Sequence, residues 1–304
     1  MHHFKIVGVV GKRRDPQADG TLLQLLEVLR ALGRKIYVED ASLHGHELPA
    51  DVERLPRKDM GRCDLVIVVG GDGTLLSAAR DLAPAGVALL GINQGRLGFM
   101  VDVPPAEMRE ALGAVFAGEY VREQRLLLST RLLREKRALP ARLAVNDVVI
   151  RNQAAIRMLE FETWLDGEFI SQHRADGFIV ATPTGSTAYA LSGGGPVVHP
   201  GLDALTLVPI CPHTLSDRPI VVSSRQTVRI TLRGAPNTVA MYTCDGQTAE
   251  TLHAGESFEV READFRLNLV HPRQYSYFNI LRNKLHWGRG PALNSRHGTE
   301  SDIK

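Results

Sequence analysis

The sequence predicts two domains of different fold class, an α/β domain in residues 1–124 and a mainly β domain in residues 125–270. Up to about residue 124, apolar runs alternate with segments of helical periodicity. From Arg125 onward, short strand patterns follow one another and long helical periodicity is missing. With 304 residues, 44% hydrophobic and 23% charged, the chain has an ordinary globular composition and enough length for two such domains.

Strand and helix patterns alternate through the N-terminal domain. The run FKIVGVVG (4–11) is rich in Val and Ile, leucines then recur at helical spacing from Leu22 to Leu32, and KIYVED follows as a second strand. The alternation continues in CDLVIVVGG, TLLSAARDLA, VALLGIN and PAEMREALGAVFAG. Since buried parallel strands are near-continuous apolar runs, these patterns predict a Rossmann-like parallel sheet covered by helices.

The C-terminal domain is predicted from a series of short strands. Asp166-Gly167 and Asp245-Gly246 are typical of hairpin turns, which favours an antiparallel fold of the β-sandwich type. YFNILRNKLHWG again has a helical pattern, so we expect residues 271–290 to pack back on the first domain. Residues 291–304 are polar and are expected to form a disordered tail. The strand candidates are RLLLSTRLL, ARLAVNDVVI, MLEFETWL, EFISQH, GFIVATPT, LTLVPI, PIVVSS, TVRITLRG, VAMYTC, ESFEVREA and FRLNLV.

Charge and cysteine content disfavour several classes of protein. The formal net charge of +2 is too small to suggest a dedicated binder of nucleic acid or of a membrane surface. No segment approaches the roughly 18 apolar residues of a membrane span. Cys63, Cys211 and Cys244 are far apart and lack a CxxC spacing, which supports neither a disulfide framework nor a zinc site. These features predict a cytoplasmic protein in a reducing compartment and leave small-molecule chemistry open.

The stretch VVGGDGTLL (68–76) is a candidate phosphate loop that contains one carboxylate. Gly70, Gly71 and Gly73 let backbone N–H groups approach a ligand, and a helix beginning near Thr74 adds a partial positive charge suited to phosphate oxygens. Asp72 differs in kind, because a carboxylate repels phosphate unless a cation or a hydroxyl lies between them. It is the candidate catalytic residue, as a general base or as a ligand of a metal-bound water, and in a loose phosphoryl-transfer transition state positioning the hydroxyl matters more than removing its proton early. The alternative is a glycine-rich turn in which Asp72 caps the helix.

Two further stretches carry polar residues in apolar surroundings. In HRADGFIVATPTGSTAYALSGGGPVVHP (173–200), small hydroxyls, glycines and the ring of Tyr189 suit a nucleotide. In AVNDVVI (144–150), Asn146 and Asp147 interrupt a strand, and an amide beside a carboxylate can bind base edges and ribose hydroxyls. A Ser/Thr-rich turn and a β-bulge are the structural alternatives for the two stretches.

Taken together and in this order, five motifs resemble the NAD kinase family, and particularly its proteobacterial members. They are GGDGTLL, GINQGRLGFM, NDVVI, RADGFIVATPTGSTAYALSGGGP and CPHTLSDRPIV, and the resemblance runs from the first strand to about Trp287. It implies transfer of the γ-phosphoryl group of ATP, with Mg²⁺ or Mn²⁺, to the 2′-hydroxyl of the adenosine ribose of NAD. It also implies an N-terminal α/β domain, a C-terminal β-rich domain with the NAD site between them, and assembly as a homodimer or homotetramer.

The resemblance assigns roles at matching positions. Asp72 matches the family's proposed proton acceptor, and GINQGRLGFM (91–100) matches its loop near the reacting centre. Tyr189 is the expected stacking residue, and Arg174 is expected to influence the choice between NAD and NADH. Residues 12–14 form a basic turn that either contacts ATP phosphates or is solvated. The expected NAD contacts are Asp72, Gly73, Asn146, Asp147, Arg157, Arg174, Asp176, Thr187, Ala188, Tyr189, Ala190, Leu191, Ser192 and Gln247.

Two alternatives stay open on the sequence. Diacylglycerol and sphingosine-type kinases carry a similar Gly-Gly-Asp-Gly-Thr stretch, so the acceptor is alternatively a lipid, and a regulatory module that binds NADP(H) without catalysis would need a similar nucleotide loop. The sequence has no GxxxxGK[ST] and no GxGxxG after the first strand, which disfavours Walker-type and hydride-transfer enzymes. Its histidines form no HExxH-like cluster, so a divalent cation is expected to bind with ATP and not in a dedicated protein site.

Overall fold

The computed structural model describes residues 4–12, 15–95, 97–134, 137–152, 158–214, 216–286 and 288. None of the helices among these residues has both the length and the apolar content that a membrane crossing requires. The described helices are α1 Pro16–Ala31, α2 Asp72–Leu82, α3 Met108–Ala117, α4 Tyr189–Ser192 and α5 Tyr277–Leu285. The described strands are β1 Ile6–Gly11, β2 Lys35–Glu39, β3 Val52–Leu55, β4 Leu65–Val69, β5 Ala88–Ile92, β6 Tyr120–Arg125, β7 Leu128–Arg134, β8 Arg137–Ala138, β9 Arg142–Ala144, β10 Asp147–Asn152, β11 Leu159–Leu165, β12 Glu168–Ala175, β13 Gly177–Ala181, β14 Ala204–Ile210, β15 Ile220–Ser223, β16 Val228–Arg233, β17 Val239–Cys244, β18 Thr248–His253, β19 Ser257–Glu262 and β20 Leu267–Pro272.

The first sheet has seven strands in the order β3-β2-β1-β4-β5-β20-β6. Neighbouring strands run parallel from β3 to β20, and β6 pairs antiparallel with β20. Side chains of α1 and α3 pack into the core on one face, and those of α2 pack into the core on the other. This arrangement confirms the predicted α/β fold. The sequence pattern does not predict β6, because YVREQR is mostly polar, as suits an exposed edge strand.

The remaining strands form two antiparallel sheets that pack face to face. One sheet has the order β15-β14-β13-β10-β17-β18, and the other has the order β12-β11-β16-β19-β7-β8, with β9 also paired to β7. Side chains from both sheets meet in one core, including Val148 and Val180 from the first and Phe161, Ile230 and Phe258 from the second. The predicted antiparallel β-sandwich is therefore confirmed.

Both predicted hairpin turns are present. Asp166 and Gly167 join β11 to β12 with φ of 50° and 87°, and Asp245 and Gly246 join β17 to β18 with φ of 51° and 63°. Two consecutive residues of positive φ are the pattern of a type I′ turn, which matches the twist of the flanking strands.

Near its C-terminus the chain returns to the first sheet. β20 lies between β5 and β6, and α5 follows with Ile280 and Leu281 buried, so the helix predicted from YFNILRNKLHWG is present. β20 starts at Leu267, inside the range that the sequence assigns to the second domain, and the division at residues 124 and 270 stays a prediction. The predicted tail, residues 291–304, lies outside the described residues.

A buried charged cluster lies where β6 and β20 meet the C-terminal domain. The guanidinium of Arg125, 1% exposed, is 2.7 Å from Glu123 Oε2 and donates to Thr184 Oγ1 at 3.2 Å. His271 Nδ1 lies 3.1 Å from Asp102 Oδ2. Burial by itself would raise the pKa of Glu123, but interactions with His271 and Arg125 outweigh it and lower the pKa to about 2. Glu123 therefore stays ionised at neutral pH, and the cluster ties the loop around residue 184 to the first sheet.

Candidate active site

The carboxyl end of β4 leads directly into the glycine loop. Gly70 donates its N–H to the carbonyl of Ile92 at 3.0 Å, which ties the loop to β5, and α2 begins at Asp72 after Gly71. A Cβ on Gly70 would lie 2.6 Å from Thr74 Oγ1, so the fold admits no side chain at this position. In the first turn of α2 the N–H of Thr74 already donates to the carbonyl of Gly71 at 3.0 Å, so the N–H groups before Thr74, together with the helix dipole, are the ones that suit an anion.

The carboxylate of Asp72 is half-buried and is held by the segment that follows β5. Its Oδ2 accepts the N–H of Phe99 at 2.9 Å, and its Oδ1 accepts the N–H of Met100 at 3.1 Å. Gly98 lies so close that a Cβ there would be 2.2 Å from Oδ1. A carboxylate has about four acceptor positions, so two backbone N–H groups orient it and leave capacity for a substrate hydroxyl. The segment 98–100 ends the GINQGRLGFM loop that the sequence predicts near the reacting centre.

The predicted pair Asn146 and Asp147 lies where β10 begins, and its backbone surrounds a second carboxylate. Asp245 Oδ1 accepts the N–H groups of Val145 at 3.0 Å, Asn146 at 2.7 Å and Asp147 at 3.3 Å. The side chain of Asp245 is 0% exposed. One buried carboxylate thus fixes the conformation that presents the two predicted NAD contacts.

The side chains of this pair suit hydrogen bonds to a ligand. Among the described residues, the buried Oδ1 of Asn146 has no hydrogen-bond partner, which an acceptor in a folded protein rarely lacks. Asp147 is 5% exposed, and burial together with the nearby Asp245 carboxylate raises the pKa of Asp147 to about 7. Near neutral pH the Asp147 carboxyl group can therefore either accept or donate a hydrogen bond.

Contacts over a long sequence separation join α2 to the turn between β17 and β18. Arg80 Nη1 is 2.6 Å from Asp245 Oδ2, and Gln247 Nε2 donates to the carbonyl of Gly73 at 2.9 Å. Gln247, a predicted NAD contact, is thereby placed beside the Asp72 loop. From the sequence, Asp245 is predicted only as a turn residue, and Arg80 is not predicted as a site residue. A carboxylate directly after the apolar strand VAMYTC is the signal that points to Asp245.

The hydroxyls of the predicted nucleotide loop are turned into the fold. Thr182 Oγ1 donates to the carbonyl of Val145 at 2.6 Å and accepts the N–H of Gly185 at 3.0 Å. Ser186 Oγ donates to the carbonyl of Pro183 at 2.6 Å. These hydroxyls stabilise the turn.

Residues 187–192 form the part of this loop that reaches the surface. Tyr189 is 42% exposed and Ser192 is exposed, whereas Thr187, Ala188 and Leu191 are half-buried. Ala190 is fully buried among apolar side chains, so any ligand contact from it would come from its backbone. A cavity of about 340 Å³ opens beside Tyr189, lined by Asn146, Asp147, Val149, Arg151, Ala188, Tyr189, Thr243, Asp245 and Gly246.

Three other predicted contacts lie apart from this group or outside the described residues. Arg174 is exposed on β12, with its Nε 3.1 Å from Glu160 Oε1. Asp176 is exposed between β12 and β13, at the opposite end of β13 from the residue that pairs with Asp147. Five residues separate Asp176 from Ala181, the residue that pairs with Asp147, which is about 16 Å at roughly 3.3 Å per strand residue. Arg157 lies outside the described residues. The roles of these three side chains stay predictions.

The potential metal ligands are dispersed over the described part of the chain. There, no group of three or more His, Cys, Asp or Glu side chains is placed to hold a metal ion. Cys63, Cys211 and Cys244 are free, and Cys211 is exposed. Burial raises the pKa of the Cys63 and Cys244 thiols to about 11, so both stay protonated near neutral pH.

Models of one protein family match most of the chain. The model described as the ATP-NAD kinase N-terminal domain matches residues 7–120, and the model described as the ATP-NAD kinase C-terminal domain matches residues 145–272. An NAD kinase of Nitrosococcus oceani is 43% identical over 290 residues, covering 94% of this chain and 98% of the relative. An NAD kinase of Chromohalobacter salexigens is 45% identical over 291 residues, covering 94% and 98%.

Solved structures share the same fold. A yeast NADH kinase in complex with NADH superposes with a TM-score of 0.86 at 23% identity, covering 96% of this chain and 90% of the other. An NAD kinase from Archaeoglobus fulgidus in complex with ATP gives a TM-score of 0.70 at 26% identity, covering 92% and 97%. The range of the N-terminal model includes Asp72, the range of the C-terminal model includes Asn146 and Asp147, and relatives above 40% identity match over nearly the full length. The chain therefore belongs to the NAD kinase family.

Proposed function

We propose that the enzyme places the 2′-hydroxyl of the adenosine ribose of NAD against Asp72 and transfers the γ-phosphoryl group of ATP to that oxygen, giving NADP. The observation that carries this proposal is the position of the Asp72 carboxylate. Asp72 lies in the first turn of α2, and the N–H groups of Phe99 and Met100 orient its carboxylate. A hydroxyl bound there lies next to a helix N-terminus that suits phosphate oxygens.

The residues divide the work of the transfer. A bond forms between the 2′-oxygen and the γ-phosphorus as the bond from that phosphorus to the β,γ-bridging oxygen breaks, and ADP leaves. The proton of the hydroxyl passes to Asp72. Since the transition state of phosphoryl transfer is loose, the chief contribution of Asp72 is to hold the acceptor oxygen in line. Two backbone hydrogen bonds restrict the carboxylate to one orientation, which supports this role.

The cavity beside Tyr189 is the proposed binding site for the adenosine part of NAD. The unpartnered Oδ1 of Asn146 and the carboxyl group of Asp147 supply hydrogen bonds to base or ribose, and the exposed ring of Tyr189 supplies a stacking face. Gln247 borders the same ligand through its position next to Gly73. Arg174 and Asp176 would contact a more distant part of the dinucleotide.

A divalent cation, Mg²⁺ or Mn²⁺, is proposed to bind together with ATP. The donor set fits such an ion, because hard cations take oxygen ligands and Asp72 retains acceptor positions beyond its two N–H bonds. Phosphate oxygens and water would supply the remaining ligands. When bound, the cation would neutralise phosphate charge.

We further propose a cytoplasmic protein that assembles as a homodimer or homotetramer. Three free cysteines support a reducing compartment. Ile220 and Val221, 42% and 51% exposed on the edge strand β15, support contact between copies. Light scattering after size exclusion measures the assembly state directly.

The experiment that tests the proposed reaction incubates purified enzyme with Mg²⁺, ATP and NAD and detects NADP with an NADP-specific dehydrogenase. Wild type is expected to form NADP, and Asp72→Asn is expected to lose roughly 10²- to 10⁴-fold in kcat, the range of a positioned proton acceptor. Asp81→Asn, on the same helix with a 54% exposed side chain, is the matched control and should match wild type. Full turnover in Asp72→Asn would remove the role assigned to Asp72.

A further inference from the structure

We propose that Arg80 is a positioning residue for the phosphoryl transfer, which fixes the start of β10 relative to the helix that carries Asp72. The inference rests on the proposed roles of Asp72, Asn146 and Asp147. Arg80 lies about two helical turns beyond Asp72 on α2, and it is absent from the lining of the cavity beside Tyr189. It therefore acts through other residues.

Arg80 and Asp245 form a close and largely buried ion pair. Their closest atoms, Nη1 and Oδ2, are 2.6 Å apart, and the side chains are 13% and 0% exposed. Removal of two charged groups from water is compensated only by close contact and by hydrogen bonds to the remaining lone pairs. Both conditions are met, since the other oxygen of Asp245 accepts N–H groups from residues 145–147.

The N–H groups that the Asp245 carboxylate accepts belong to the segment that carries Asn146 and Asp147. The carbonyl of Asp147 in turn accepts the N–H of Asp245 at 2.9 Å. Any displacement of the Asp245 carboxylate therefore displaces the two side chains that line the cavity. Arg80 holds that carboxylate from the side of α2.

Gln247 provides a second attachment between α2 and the turn that joins β17 to β18. Gln247 lies two residues after Asp245, accepts a hydrogen bond from Arg80 Nη2, and donates its own amide hydrogen to the carbonyl of Gly73 at 2.9 Å. The turn between β17 and β18 thus contacts α2 near its last turn and in its first turn. Two contacts define both the distance and the angle between Asp72 and the start of β10.

Charge gives a further reason why a neutral residue cannot replace Arg80. Asp245 lies close enough to Asp147 to disfavour its ionised form, so this region holds two carboxyl groups with little solvent. Removing the guanidinium leaves a buried carboxylate without its cation, which strongly destabilises the folded state unless the site rearranges. Rearrangement moves the segment 145–147.

The test compares Arg80→Met and Arg80→Lys with wild type, measuring kcat and KM for NAD, and the dissociation constant of NAD without ATP, well below each variant's melting temperature. Met keeps the stem without the charge, and Lys keeps the charge but loses the forked geometry that reaches both Asp245 and Gln247. In Arg80→Met, kcat/KM for NAD is expected to fall by roughly 100-fold, as for a displacement of about 1 Å at a reacting centre, with both NAD binding and kcat affected. Arg80→Lys should lie between Arg80→Met and wild type.

The matched control is Arg30→Met, which removes a cation from the last turn of α1, where Arg30 pairs with Asp51 at 2.9 Å on the surface. Its kinetics should stay within about two-fold of wild type, because exposed pairs contribute little. If Arg80→Met melts earlier but keeps kcat and NAD affinity within about two-fold of wild type, its role is structural only and the proposal is overturned. Should Arg80→Met fail to fold, an unchanged NAD affinity and kcat in Arg80→Lys would overturn it equally.

Failure of the proposed reaction gives a different result. ATP-dependent NADP formation by wild type and its loss in Asp72→Asn decide the proposed chemistry without reference to Arg80. The dissociation constant of NAD measured without ATP reports the position of Asn146 and Asp147 even if Asp72 has another role.

Discussion

The two carboxylates at the centre of the site, Asp72 and Asp245, are held in similar ways but are left in different states. Asp72 accepts two backbone N–H groups, is half-buried and keeps open acceptor positions. Asp245 accepts three N–H groups, pairs with Arg80 and has a fully buried side chain. Backbone hydrogen bonds alone therefore do not distinguish a carboxylate that is proposed to react from a structural one. What distinguishes them is whether acceptor capacity remains for a ligand.

A large effect is expected from breaking the support of Asp72 without changing Asp72 itself. A Cβ at Gly98 would lie 2.2 Å from Asp72 Oδ1 and 2.3 Å from Val101 Cγ2, so Gly98→Ala must displace the carboxylate or the segment 98–100. We expect kcat to fall by roughly 100-fold, because a displacement of about 1 Å at a reacting centre has that effect. Steady-state kinetics with ATP and NAD measure it.

Gly113→Ala is the control for this substitution. Gly113 lies in α3 with nothing within 4 Å of an added Cβ, so the change should leave kcat unaffected and slightly stabilise the helix. Equal turnover in Gly98→Ala and wild type would show that the orientation of Asp72 does not matter.

The Asp245 side of the comparison predicts a pH-dependent effect on stability. The folded-state pKa of Asp147, raised to about 7 by burial and by Asp245, lies above the ordinary value of 3.8, so the folded state prefers the protonated carboxyl group. Between about pH 4 and pH 7, unfolding therefore becomes easier as pH rises through the titration of Asp147. Asp147→Asn should melt higher than wild type at pH 8, where wild-type Asp147 is ionised, and by a smaller margin at pH 5, where only part of the titration has occurred.

The measurement is the difference in melting temperature between the nucleotide-free proteins at the two pH values. Taking the difference cancels groups that titrate alike in both proteins, and Arg80 and Asp245 are present in each. A difference that is the same at pH 5 and pH 8 would contradict the raised pKa of Asp147 that burial and Asp245 produce. The variant should also bind NAD more weakly at pH 8, since it loses a carboxylate acceptor.

The smallest effect is expected where the site meets solvent. Tyr189→Ala should raise KM for NAD by about 3- to 10-fold, in line with about 0.5–1.5 kcal/mol for an aromatic contact, without lowering the melting temperature. Phe169→Ala, which removes a ring that is 50% exposed on β12, is the control and should leave KM unchanged. Tyr189→Phe should behave as wild type if stacking is the role, and a KM as high as that of Tyr189→Ala would point to the hydroxyl instead.

The parts of the fold that the sequence predicts are those with a local signal. Apolar runs and helical leucine spacing predict the first sheet, and Asp166-Gly167 and Asp245-Gly246 predict their hairpins, because turn geometry depends on neighbouring residues. β6 is missed, since an edge strand needs no apolar alternation. The position of β20 between β5 and β6 is missed as well, because pairing across more than a hundred residues leaves no local pattern.

The site divides in the same way. Asp72 is found from its own motif, since glycines on both sides make the loop recognisable. The Phe99 and Met100 N–H groups that orient it are backbone atoms, which no residue type reveals. In the sequence, Arg80 has the pattern of an ordinary cation on a helix surface. Its partner Asp245 is 165 residues away, so only the fold shows their contact. Residues with the same chemistry thus differ in how far the sequence alone identifies them.

In the proposed reaction, Asp72 binds the acceptor hydroxyl and takes up its proton. The most direct measurement is the single-turnover rate of NADP formation by Asp72→Asn at saturating ATP and NAD, beside the NAD affinity of the same protein. We predict a rate lower than wild type by roughly 10²- to 10⁴-fold with NAD affinity nearly unchanged, because the amide retains an acceptor but is a far weaker base. A single-turnover rate equal to that of wild type would contradict the claim.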